Sequence, residues 1–285
     1  MKEIYHGTLI KKIRESKKMT QEYLSAGIIT RTYLSKIENN QSFPSFYTLN
    51  CLLQRMDISF DEFYYLLNGK KNSEKDAIIN HFFSITSNKS KSELYKCVTN
   101  CINYLRTSKD ITIMDIQNIC IGLLKLSEKK SLKEVSPEIF NVWRRLQNHD
   151  QWFFLEIRLI NCILFMFPID TSLLIGQRLK KELDSYNKYQ NSVDYIGIIY
   201  LNISTIFLEA NHYKDALETL VFIVNHESIK KRFDLYCFAS ARIAILNGDE
   251  KNYLKYITIL EMLSEYDYLI IELNKEKDKY QCKDV

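Results

Sequence analysis

Glycine and proline are scarce in this chain, 7 and 3 among 285 residues, and no proline follows Pro168. Sheets and tight hairpins consume Gly, Pro and Asn-Gly turns, so the scarcity excludes a strand-rich fold and points to helices joined by short polar loops. Long apolar runs are missing too. The longest strongly apolar run, Cys162 to Phe167, has six residues, against about 20 for a membrane span. The opening Met1 to Gly7 is polar and no apolar core follows it, so no secretory signal is read. The expectation is a cytoplasmic protein with no membrane partner. A phosphate-cradling glycine loop, H-E-x-x-H, G-x-S-x-G and a metal cluster are all lacking, and His6, His81, His149, His212 and His226 are scattered. Neither an enzyme nor a cofactor is therefore expected. Seven cysteines contain no C-x-x-C pair, and Cys97 and Cys101, spaced i, i+4, make a poor zinc site alone. They read as small buried residues.

Charge is unevenly spread. Residues 1 to 72 hold 11 Lys+Arg and 7 Asp+Glu, while residues 73 to 285 hold 28 of each, so the net +4 sits on the N-terminal quarter. A local positive excess is what phosphate binding requires. Within this quarter, residues 20 to 38 read as a helix-turn-helix. Arg31, Tyr33 and Lys36 form the polar side of its second helix, and Leu34 and Ile37 the apolar side. A recognition helix needs that division, one face held to its domain and the other free to enter the major groove.

Five helices are expected here. The first spans Thr8 to about Lys17, with Leu9, Ile10 and Ile13 on one face. Thr20 caps the second, with Leu24 and Ile28 inward and Gly27 relieving the turn. Thr30 caps the third, about Thr30 to Glu38, and Ser45 the fourth, which turns Leu49, Leu52, Leu53 and Met56 inward. Phe60, Phe63 and Leu66 or Leu67 of the fifth close the core. The motifs "T-Q-x-x-L" (Thr20, Gln21, Leu24), "S-K-I-E" (Ser35 to Glu38), "P-S-x-x-x-L" (Pro44, Ser45, Leu49) and Ile58 to Phe63 resemble those of phage repressors and their bacterial relatives. Two features depart from that pattern: a turn about one residue short, and Ser25 where a small Ala usually packs. The resemblance implies an ion pair between Arg14 and Glu38 and a DNA contact for Gln21. Arg31, Thr32, Tyr33 and Lys36 are the groove-facing candidates, Arg suiting guanine and a Thr methyl suiting thymine. Lys11, Lys12 and Thr30 join the DNA-binding set, and Asn39 and Asn40 reach for the backbone from the following loop.

The polar stretch at residues 69–76 reads as a linker between a DNA-binding domain, 1–68, and a helical-repeat domain, 77–285, that binds ligand and dimerises. Tyr200, Phe207, Tyr213, Ala216 and Leu220 match tetratricopeptide spacing, and Cys237, Ala241, Gly248, Tyr253 and Ile257 form a second unit. A third runs from Leu159, so that Asn161 falls on Asn202, 41 residues later. The expected fold is all-α, a five-helix helix-turn-helix domain followed by a superhelix of tetratricopeptide-like hairpins. Such a superhelix has a concave groove suited to an extended peptide. Arg158, Asn161, Asn202 and Arg242 sit on inner-helix patterns and, with Trp152 and Tyr200, are the candidate peptide-binding residues. A helix-facing Asn can equally tie neighbouring hairpins together. Tyr253 to Ile271 is apolar on more than one face, which suits a dimer interface or a buried last repeat capped by a polar tail, Glu272 to Val285.

Both parts together resemble the Rgg/GadR/MutR regulators of Firmicutes. Val142 to Leu146, Trp152 to Glu156, Asn161, Phe167 to Asp170 and the Asn202 to Ala216 unit carry the resemblance. It implies a homodimer, a near-palindromic double-stranded DNA operator and a switch by a short signalling peptide. The alternative is a regulator whose helical domain only dimerises or binds a protein partner, with no peptide ligand.

Overall fold

The computed structural model describes residues 5–85, 91–128, 136–186, 189, 193–227, 232–263 and 266–280. Every regular element among them is helical: α1 His6–Ser16, α2 Gln21–Ser25, α3 Arg31–Glu38, α4 Phe46–Arg55, α5 Phe60–Leu67, α6 Glu74–Ser84, α7 Lys91–Leu105 and α8 Ile111–Glu128. There follow α9 Pro137–Leu146, α10 Phe154–Ile163, α11 Ile169–Asp184, α12 Val193–Glu209, α13 Tyr213–Asn225, α14 Phe233–Leu246, α15 Glu250–Met262 and α16 Asp267–Tyr280. A single 3-10 turn, Leu164–Met166, extends α10. The chain forms two compact units, residues 1–86 with 100–109, and 87–99 with 110–285.

In the first unit each start from α2 to α6 is written in one residue. Thr20, Thr30, Ser45, Ser59 and Ser73 each accept the backbone N–H three positions on, a cap worth about 0.5–2 kcal/mol. α1 begins at His6, two residues before the expected Thr8. Its core holds Leu9, Ile10, Ile13, Leu24, Leu34, Ile37, Leu52, Leu53, Met56 and Phe63. Phe60, expected inside, is 41% exposed and rests on the Phe46 ring, centroids 5.4 Å apart. As the first residue of α5 it lies a turn short of the face that Phe63 turns inward.

In the second unit each helix from α8 packs on the next and, from α8 through α10, α12 and α14 to α16, also on the next but one. This is the pattern of stacked tetratricopeptide-like hairpins. Ala216 and Ala241 are fully buried where helices close on one another. Gly248, at φ +66°, turns the chain between α14 and α15, in the left-handed region that glycine enters without cost. The segment expected to trail as a polar tail from Glu272 is instead helical through Tyr280, and Leu273, Glu276 and Tyr280 are buried. Charged residues hid this face. Glu276 lies inside because Arg242 of α14 meets it, Nε to Oε2 2.8 Å.

One backbone approach fixes α1 on α3. A Cβ placed on Gly7 would sit 1.8 Å from the Ile37 carbonyl oxygen. Gly7→Ala is therefore expected to force the two helices apart and lower stability by about 1–3 kcal/mol, read as a fall in the urea midpoint. An unchanged midpoint would show that α1 has room to move.

Candidate functional site

α3 splits into two faces as a groove-reading helix must. Leu34, Ile37 and Glu38 are buried, and Arg31, Thr32 and Lys36 are exposed, with Asn39 beyond them. Thr30 caps the helix, its Oγ1 accepting from Tyr33 N at 3.2 Å. Lys11 and Lys12 are exposed on α1.

The buried end of α3 is held by charge. Arg14 donates from Nε to Glu38 Oε1 at 2.6 Å and from Nη2 to Oε2 at 3.0 Å, and from Nη1 to the Met19 carbonyl at 2.8 Å. The Glu38 hydrogen bond raises the Arg14 pKa above its ordinary value, against the opposing effect of burial. Gln21 enters the same cluster, donating from Nε2 to Glu38 Oε2 at 2.8 Å. Its amide is thus anchored inside the motif, although the residue remains half-buried at the start of α2.

Two other expected DNA residues also serve the fold. Asn40, at φ +58°, accepts from Gly7 N (3.0 Å) and Thr8 N (3.3 Å) and donates to Thr8 Oγ1 (2.7 Å). It satisfies the first turn of α1, where no side chain of the preceding residue does so. Tyr33 packs its ring on the core and donates its hydroxyl to the Phe43 carbonyl at 3.2 Å, pinning the loop after α3. Arg55 was not foreseen. From the last turn of α4 its Nη1 reaches the carbonyls of Tyr23 (3.2 Å), Leu24 (3.2 Å) and Ala26, closing the C-terminal end of α2. A lone Arg at a helix end carries no sequence signal for a partner about 30 residues back.

On the repeats, the half-open residues of α10 and α12 face one another. Asn202 donates from Nδ2 to Asn161 Oδ1 at 3.1 Å. The Arg158 guanidinium stacks on Tyr195, 3.7 Å from the ring centroid, beside Phe154 at 6.0 Å. Burial lowers the Arg158 pKa, and the same burial pushes the Cys162 thiol up to about 12.

Three expected peptide contacts lie in the core instead. Trp152 is fully buried, donates from Nε1 to the Leu146 carbonyl at 2.8 Å and lies under the Arg178 guanidinium. Tyr200 is 1% exposed, and its hydroxyl donates to Asp184 Oδ1 at 2.7 Å. Arg242 is 4% exposed and ties Glu276, the Leu201 carbonyl and Ser204 together. Large amphipathic side chains on an inner-helix pattern point either into a groove or between helices, and spacing alone does not separate the two.

Among the described residues no group of three or more His, Cys, Asp or Glu could hold a metal ion, and no helix is long and apolar enough to cross a membrane. The profile of the helix-turn-helix family matches residues 10–63, so the first unit carries a helix-turn-helix domain. No curated protein matches the chain by sequence. In fold the whole chain is similar to a candidate transcriptional regulator from Listeria monocytogenes EGD-e, at 17% identity over 98% of this chain and 100% of that one, TM-score 0.77. It is similar to the SHP pheromone receptor Rgg2 of Streptococcus dysgalactiae at 15% identity over 96% and 99%, TM-score 0.67. It is also similar to Bacillus thuringiensis PlcR, solved in complex with the peptide PapR7 and DNA, at 15% identity over 93% and 99%, TM-score 0.61.

Glu38→Ala would leave the Arg14 charge buried without its counter-ion. It is expected to cost about 3–5 kcal/mol, seen as early urea unfolding of the first unit, whereas Gln41→Ala at an exposed position changes the midpoint little. If both variants unfold like the parent, the ion pair contributes nothing to stability.

Proposed function

We propose that this protein is a cytoplasmic, homodimeric transcription regulator of the Rgg-like class. It binds double-stranded DNA at a near-palindromic operator through α2 and α3, and a short signalling peptide held by the repeat unit switches it. The observation that carries the reading is the pairing, in one chain and along its whole length, of a helix-turn-helix domain with a repeat array of the fold seen in Rgg2 and PlcR. PlcR was solved with both a peptide and DNA bound, which supports the same two ligands here.

In this reading Arg31, Thr32 and Lys36 enter the groove, since they are the exposed members of α3. Lys11, Lys12, Thr30 and Asn39 stand exposed to meet phosphates. Gln21, Tyr33 and Asn40 act by positioning those residues, through the bonds that hold α2, the following loop and α1 to α3. Arg158, Asn161 and Asn202 supply the peptide contacts, as the members of the expected set that are not fully enclosed. Side-chain amides suit this task because they pair with the ligand's backbone whatever its side chains. Peptide then shifts the population of DNA-competent dimers by binding one of two forms better.

Arg31→Ala is expected to weaken binding to a duplex from the gene's flanking region by about 1–3 kcal/mol, with unchanged helix content by circular dichroism. Fluorescence anisotropy at two salt concentrations measures it, and equal affinity in parent and variant removes Arg31 from the interface. Asn202→Ala is expected to weaken peptide binding while leaving DNA binding without peptide intact. If no candidate peptide alters DNA affinity, dimer shape or transcription, the repeat unit serves dimerisation or a protein partner instead.

A further inference from the structure

The inner helices α10, α12 and α14 carry a half-open stripe that repeats with the array. Phe154, Tyr195 and Tyr236 stand on it at the interval of 41 residues that the bond from Asn202 to Asn161 also spans, and so do Asn161, Asn202 and Ile243. The face assigned to peptide therefore runs on from α10 and α12 to α14. Its chemistry changes on the way. Two carboxamides are followed by an Ile. A carboxamide offers donors and an acceptor to a ligand's backbone, and an alkyl group offers neither.

The aromatic row changes as well. Phe154 and Tyr195 lie against each other, centroids 6.1 Å apart, and the Arg158 guanidinium covers the Tyr195 ring at 3.7 Å. Tyr236 meets instead a ring of the following helix, Tyr256 of α15, with centroids 6.1 Å apart and planes at 78°. Beside this pair opens a cleft of about 260 Å³, with Val224, Ile243 and Ala244 as apolar lining and Ser240 and Asn247 among its polar lining.

The cleft is smaller than the roughly 300–1,000 Å³ that encloses a whole drug-sized ligand, and it has room for one large side chain. Two rings near a right angle present a face and an edge to a third, and aromatic rings attract in both arrangements at centroid separations of about 4.5–7 Å. An aliphatic chain would gain contact area there and nothing more. Taking the repeat unit as a peptide receptor, on which this inference rests, we propose that the cleft between α14 and α15 is the specificity pocket of the peptide site and takes an aromatic side chain of the peptide. Asn161 and Asn202 hold main chain whatever its sequence, while Tyr236, Ile243 and Tyr256 read one residue. α12 and α14 pack on each other, so their axes lie roughly 8–10 Å apart. An extended chain covers about 3.3–3.6 Å per residue, which places the aromatic residue about three positions along the peptide from the one held at Asn202.

The test selects binders to the full-length protein from a phage-displayed library of short random peptides. The selected peptides are expected to share an aromatic residue at one position. A synthetic copy of the best binder with Ala, Lys or Glu at that position is expected to bind about tenfold more weakly by fluorescence anisotropy. Tyr256→Leu and Ile243→Ser, both at half-exposed positions, are each expected to abolish the difference between the aromatic and the Ala peptide, with the melting temperature unchanged. Asn202→Ala weakens both peptides alike and preserves their ratio, which separates a residue that holds main chain from those that read a side chain. A selection that yields no binder overturns the peptide reading and the pocket together. Binders with no shared aromatic residue, a shared Lys or Arg in its place, or a ratio that survives both Tyr256→Leu and Ile243→Ser overturn the pocket alone.

Discussion

The Arg14–Glu38 pair is the constraint on which the first unit's geometry depends. A carboxylate in the last turn of a helix opposes the helix dipole, and a buried one also loses its hydration. Glu38 is tolerated because a bidentate guanidinium from α1 and the amide of Gln21 from α2 close on its two oxygens. Three helices thereby share one hydrogen-bonded point. Apolar packing alone would let α3 roll about its axis, since Leu34 and Ile37 are interchangeable in kind with their neighbours. A fork on a carboxylate has a preferred plane, so it sets the rotation of α3 and with it the direction of Arg31, Thr32 and Lys36.

The repeat unit uses polar ties in the same way but spaces them along the chain. The bond from Asn202 to Asn161 and the bond from Arg242 to the Leu201 carbonyl each span 41 residues. That is the repeat length read from sequence. Alternate helices are thus clamped one period apart, α12 to α10 and α14 to α12. Apolar faces of Leu, Ile and Phe permit sliding, and a directional polar bond between them does not. The ties therefore hold the register in which Tyr200, Phe207 and Ala216 pack.

Much of this was legible in the order of residues. Thr20, Thr30 and Ser45 mark helix starts because a hydroxyl before an apolar period has one evident local partner. The all-α class followed from the missing glycine and proline, and the hairpins from Ala216 and Ala241. What sequence could not separate was inward from outward among large polar side chains. Trp152, Tyr200 and Arg242 share the pattern of groove residues, yet each finds a partner inside: the Leu146 carbonyl, Asp184 and Glu276. Those partners lie 6, 16 and 34 residues away, beyond the reach of helical periodicity. Arg55 and the buried half of α16 escaped notice for the same reason.

α16 supplies the counter-charge for a residue that α14 buries. Arg242 lies buried in α14 well before α16 is reached, and its carboxylate arrives only with Glu276. A product ending early, at a nonsense codon or after trimming by a protease, holds a guanidinium inside a protein with no counter-ion, a defect worth several kcal/mol. Such a fragment would be destabilised where α12, α14 and α16 meet, because Arg242 also holds the Leu201 carbonyl and Ser204.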